Sequence, residues 1–125
     1  MTGENRPAQE EKAGMAIRYG GYVFDAPAPV ARWSAPHRAG VYAILVADQR
    51  YQPMPFRVIY FGESGNMSER GFLNGHPKYS CWIREAGSEQ SLYIAVYPMP
   101  ESTPEHRRAV AGGLISEIGP VCNQP

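Results

Sequence analysis

Two apolar runs answer each other across a polar, proline-containing loop: Gly40-Val41-Tyr42-Ala43-Ile44-Leu45-Val46, then Arg57-Val58-Ile59-Tyr60-Phe61-Gly62. β-Branched and aromatic residues bounded by turn formers predict the two strands of a hairpin. A third run, Leu92-Tyr93-Ile94-Ala95-Val96-Tyr97, is apolar at every position and predicts a central strand covered on both faces. Behind the hairpin, Ser64 to Arg70 reads as a turn into a short helix over about 67–73. Asn66 is placed to cap it, Glu69 stands at the reciprocal capping-box position, Gly71 weakens it and Gly75 ends it. Pro77 suits the first position of a second helix, running to about residue 86 with Gly87 as its stop.

Thr103-Pro104-Glu105 opens the last helix with a cap, a proline and a first-turn acid, and Gly119-Pro120 closes it. At about 100° per residue, Arg107, Ala111, Leu114, Ile115 and Ile118 share one sector, so Ala111 is expected to face the sheet. The tandem Gly112-Gly113 inside this helix suggests close approach of another element or simple tolerance of glycine there. Upstream, 19–24 is expected to be a short extra strand or a packing strap. Pro27, Pro29 and Pro36 predict an irregular lead-in with at most a helical turn near Trp33, which is read as a lid over the core. Residues 1–18 form a polar N-terminal arm, and 19–125 a single domain.

Charge and cysteine content narrow the function classes. Twelve acids balance twelve bases, so no net field draws the chain to nucleic acid or to an anionic membrane. No apolar run reaches spanning length and no leader-like segment opens the chain, which predicts a cytoplasmic protein. Cys81 and Cys122 form no metal-type pair and are expected as two reduced thiols. Gly62-x-x-Gly65 is not a phosphate loop, since no Gly-Lys-Ser/Thr follows it. His76, alone in a loop, carries no assigned role.

Taken in order, Gly40-Val41-Tyr42, Tyr60-Phe61-Gly62, Asn66-Met67-x-x-Arg70, Leu114-Ile115 and Pro120-x-x-Asn123 resemble the GIY-YIG endonuclease superfamily over about residues 39–124. That resemblance implies an α+β fold, a small three-stranded antiparallel sheet flanked by helices. It also implies a hydrolase that cuts DNA phosphodiesters with one divalent cation, usually Mg²⁺. On the same resemblance, Tyr42 takes part in activating the attacking water, Tyr60 bonds beside it, Arg70 holds the scissile phosphate and Asn123 supports the site from behind. A phenol near pKa 10 is a poor base at neutral pH unless a cation stabilises the phenolate, and a guanidinium fork matches phosphate oxygens. Arg107 adds a second cation for phosphate.

The resemblance breaks at the metal. The family's glutamate lies three residues before the Leu-Ile pair and twelve before the terminal Asn, and both counts reach Ala111. Glu63, beside the second motif, is the one acid expected to reach the region. A glutamate at 111 is expected to face Tyr42 and Arg70. Seventeen residues between Tyr42 and Tyr60 mark an insertion in the hairpin, and Asn74 stands where restriction-type relatives often carry histidine. A bound cation contributes several kcal/mol in phosphoryl chemistry, so its loss costs about a thousandfold or more in rate. The expected function is a nuclease-like domain acting on or binding nucleic acid with hydrolysis impaired. The alternative is a non-catalytic DNA-binding or protein-interaction module.

Overall fold

The computed structural model describes residues 15–48, 50–51, 55–69 and 71–124. Among them the strands are β1 (Ile17–Tyr19), β2 (Tyr22–Phe24), β3 (Ala28–Pro29), β4 (Gly40–Ala47), β5 (Phe56–Ser64) and β6 (Leu92–Pro98). The two α-helices are α1 (Tyr79–Ala86) and α2 (Pro104–Ile118). The expected α+β class holds, but the main sheet has four strands rather than three, in the order β3-β6-β4-β5 and antiparallel throughout. Two residues of the proline-rich lead-in make the fourth strand: Ala28 and Pro29 pair with Ile94 and Tyr93. Proline suits that place because an edge strand needs no inward N–H from it.

The innermost strand of the hairpin carries the core on both faces. Val41, Ala43 and Leu45 pack with Phe61, Val110, Ala111 and Leu114 on the α2 side. Tyr42, Ile44 and Val46 pack with Ile59, Met67, Trp82 and Ile94 on the α1 side. Alternation along β4 therefore puts Ala111 across the sheet from the Tyr42 ring. This corrects the expectation that a glutamate at 111 would face Tyr42: it would enter an apolar cluster on the other face. The β4–β5 register shifts between Ile44 and Leu45, where Ile59 is the extra, bulged residue. The inserted loop, 48–55, joins the far ends of these strands, about 17 Å from Tyr42 at about 3.3 Å per residue.

The N-terminal strap is a β1–β2 hairpin, an order-2 sheet turning at Gly20 with φ 58°. Ile17, which the sequence left in the arm, is a buried member of the core, as is Phe24. The rest of the arm, 1–14, lies outside the described residues.

Helix ends follow the sequence closely. The Thr103 hydroxyl accepts from the His106 N–H at 3.1 Å, Pro104 opens α2, and Gly119 closes it in the left-handed conformation. Gly87 likewise closes α1, although that helix starts at Tyr79 rather than Pro77. On α2 the buried residues are Arg107, Val110, Ala111 and Leu114, while Ile118 at the predicted inner edge is exposed. The glycine pair is not a contact: a Cβ at Gly112 or Gly113 would meet open space. Gly112→Ala and Gly113→Ala are therefore each expected to stabilise the protein by about 1 kcal/mol, read as a rise in thermal midpoint. A fall would place another element against that face.

Where a helix was expected over 67–73, the described residues 67–69 and 71–73 form turns. Asn66 Oδ1 accepts from both the Ser68 N–H (3.0 Å) and the Ser68 hydroxyl (2.7 Å), and Gly71 takes φ 73°. The Asn66 bond is the one a cap makes to the second N–H beyond it, but the left-handed Gly71 keeps the segment from continuing as a helix. The cysteine expectation is also overturned: Cys81 and Cys122 form a disulfide, with Cα atoms 5.9 Å apart. It ties α1 to the C-terminal 3-10 turn Val121–Asn123. Among the described residues no helix is long and apolar enough to cross a membrane.

Candidate functional site

Two glycines set the geometry. A Cβ at Gly40 would lie 2.6 Å from the Tyr97 carbonyl oxygen and 3.2 Å from Pro98 Cα, so only glycine allows β4 and β6 to approach here. A Cβ at Gly62 would overlap the phenol end of Tyr42 and lie 2.8 Å from Tyr60 Cε2. Gly62 is the cross-strand partner of Tyr42, and the missing side chain is the space the Tyr42 hydroxyl fills. Tyr42 and Tyr60 thus meet, with ring centroids 6.2 Å apart and planes tilted by 40°.

Their surroundings keep both phenols protonated. Tyr42 is buried, and burial pushes its pKa far above the ordinary phenol value. The Tyr60 phenol and the Glu63 carboxylate add to that rise. Tyr60 is also raised, by burial first and by Glu63; a hydrogen bond from Tyr42 acts in the opposite direction. Neither tyrosine is a phenolate at neutral pH. Each offers a hydroxyl that donates or accepts.

His76, passed over in the sequence, joins them. Its Nε2 lies 3.4 Å from the Tyr60 hydroxyl, and its ring packs edge-on to Tyr60 and tilted over Trp82. The Lys78 N–H donates to its Nδ1 at 2.9 Å, which assigns the proton of the neutral ring to Nε2 and leaves no free basic nitrogen. Burial, and then the Lys78 charge, lower its pKa. A lowered folded-state pKa means that the unfolded chain takes up the proton first as pH falls. Stability is accordingly expected to be intact above about pH 6.5 and to decline as pH falls through that value, levelling below the folded pKa. Urea midpoints at several pH values should show this slope, and His76→Gln should flatten it.

Asn123 holds the outer edge of β5. Its Oδ1 accepts from the Phe61 N–H (2.9 Å) and its Nδ2 donates to the Phe61 carbonyl (3.0 Å), as a paired strand would. The adjacent Cys122 disulfide fixes the turn that carries it. Asn123→Ala is expected to cost about 1–2 kcal/mol, and Asn123→Asp at least as much, since a carboxylate oxygen would then face the Phe61 carbonyl. An unchanged urea midpoint for both would remove Asn123 from this role.

Glu63 and Arg107 satisfy each other. Arg107 Nε donates to Glu63 Oε1 at 2.8 Å, and its Nη1 donates to the Ser102 carbonyl (2.8 Å) and hydroxyl (3.1 Å). Arg107 is only 6% exposed. The sequence placed this arginine on a phosphate and this glutamate on a metal, and in the fold each is engaged by the other. Ser102 was not foreseen; its place just before the Thr103 cap was the available signal. Arg70 lies outside the described residues. Among the described residues no group of three or more His, Cys, Asp or Glu side chains is gathered as ligands for a metal would be. Ala111 stands at the family's metal-ligand position, and the Glu63 carboxylate is held by Arg107.

The arrangement is therefore a set of neutral groups, Tyr42, Tyr60 and His76, in contact with one another, with Tyr42 buried beneath the edge strand β5. Comparison with protein families, curated proteins and solved structures returns no match.

Proposed function

We propose that this chain is a GIY-YIG-type domain that binds nucleic-acid phosphodiesters and whose hydrolysis is impaired. The observation that carries the proposal is the meeting of Tyr42 and Tyr60 over Gly62, with Asn123 clasping the strand behind them. The resemblance assigns those residues to one site, and Arg70 follows them in the ordered motif as the phosphate-holding cation. Impairment is argued from what would activate water. Both phenols hold their protons, the basic nitrogen of His76 is occupied, and the Glu63 carboxylate is bound to Arg107.

The test is nicking of supercoiled plasmid with Mg²⁺ or Mn²⁺, beside an Arg70→Ala control. The expected result is no nicking above the control. Cation-dependent nicking that Arg70→Ala abolishes would instead establish an intact nuclease. The balance of twelve acids against twelve bases favours one other reading, a protein-interaction module that kept the fold alone. Absence of DNA binding at low salt would select it.

A further inference from the structure

A cleft of about 240 Å³ opens on the α1 side of the sheet, lined by Trp33, Phe72 and Tyr79 together with Glu69, Asn74 and Glu89. Trp33 and Phe72 stand with ring centroids 6.0 Å apart and planes tilted by 35°, so that they form one corner of the wall. Phe72 is braced from behind by the edge of Tyr42 at 4.9 Å. The Tyr79 hydroxyl donates to Glu89 Oε1 at 3.0 Å, which holds that carboxylate at the rim. Among the described residues no arginine, lysine or histidine pairs with Glu69 or Glu89. Both glutamates are exposed.

Aromatic rings present a negative face, and two carboxylates at the rim add a field of the same sign. Both features attract a cation and disfavour an anion. The volume lies below that of the usual drug-sized pocket, so it suits a headgroup rather than a whole ligand. We propose that this cleft binds an organic cation, an alkylated ammonium whose methyl or methylene collar rests on Trp33 and Phe72 while its charge faces Glu69 and Glu89. This binding does not depend on the phosphodiester reading.

Calorimetric titration of the full chain tests it with four probes: choline, a peptide bearing trimethyl-lysine, 3,3-dimethylbutan-1-ol (the uncharged shape analogue of choline) and cytidine. Choline is expected to bind, and the alcohol to bind at least about tenfold more weakly. Glu69→Gln with Glu89→Gln should weaken choline by about tenfold, and Trp33→Ala should remove binding. The glutamines replace exposed carboxylates, so the double variant keeps the test valid even where Trp33→Ala fails to fold. A peptide that outbinds choline supports the proposal with a protein as the source of the ammonium, and equal binding supports a free headgroup. Three results would overturn it: no heat with choline at about 10 mM, an alcohol that binds as well, or cytidine that binds more tightly than choline.

Discussion

Gly62→Ala is expected to cost about 3 kcal/mol in the free energy of unfolding, the upper part of the range for forcing atoms into a packed site. The added methyl has no room. It would overlap the Tyr42 phenol, and the Tyr60 ring 2.8 Å away blocks the other direction. Rigid rings cannot yield as a flexible chain end would, and Tyr42 is fully enclosed by Phe72 and its own strand neighbours. The cost should therefore depend on Tyr42. In a cycle with Tyr42→Ala, the double variant should be more stable than the sum of the single losses requires, by about 1–2 kcal/mol. Additive losses would mean that Gly62 is needed for its backbone alone and that the two motif residues do not share one space.

The Glu63–Arg107 pair should show coupling of the same sign, here from a matched, largely buried contact. Arg107→Met keeps the aliphatic packing but strands the Glu63 carboxylate, whose side chain is 22% exposed, and leaves the Ser102 carbonyl without its donor. Breaking one partner of such a pair costs about 3–5 kcal/mol when both are buried; the partial exposure of Glu63 puts the expectation near 3. Glu63→Leu should cost a similar amount, because it leaves the guanidinium unpaired. Combining the two should recover most of the loss, since an apolar pair of similar volume replaces a desolvated one. Urea unfolding of the three variants decides it. A double variant as unstable as the two losses added would deny the pairing.

Much of this fold was legible because local chemistry and tertiary packing agree. Thr103, Pro104 and Gly119 each specify a helix end by their own backbone preferences, and α2 begins and ends where they place it. The three long strands are read from unbroken apolar runs, and β4 is buried on both faces as such a run requires. What was lost depends on contacts that no local pattern carries. Asn66 makes the cap's bond to the Ser68 N–H, but a cap does not ensure that a helix follows it, and Gly71 turns left-handed soon after. Cys81 and Cys122 are far apart in the chain and become neighbours only because the last turn folds over α1.

The candidate site divides in the same way. Gly40, Tyr42, Tyr60 and Gly62 came from the motif order, and packing explains why the glycines and the tyrosine occur together. Asn123 was singled out by the same motif order, and its side chain bonds the Phe61 backbone through both amide atoms. Glu63 and Arg107 were assigned to separate ligands because sequence shows charges but not their partners. His76 was dismissed for the same reason: its neighbours Tyr60 and Trp82 come from a strand and a helix on either side of it.

Fluorescence anisotropy of a labelled DNA duplex across a salt series measures the proposed phosphate binding at the tyrosine site most directly. Binding should weaken steadily as salt rises, and Arg70→Ala should reduce affinity alike for unrelated sequences while lowering the salt slope by about 1. Tyr60→Phe should weaken binding further without altering that slope, because it removes a neutral hydroxyl. Binding that ignores salt, or an Arg70→Ala protein that binds as tightly as the parent, would contradict the phosphodiester assignment.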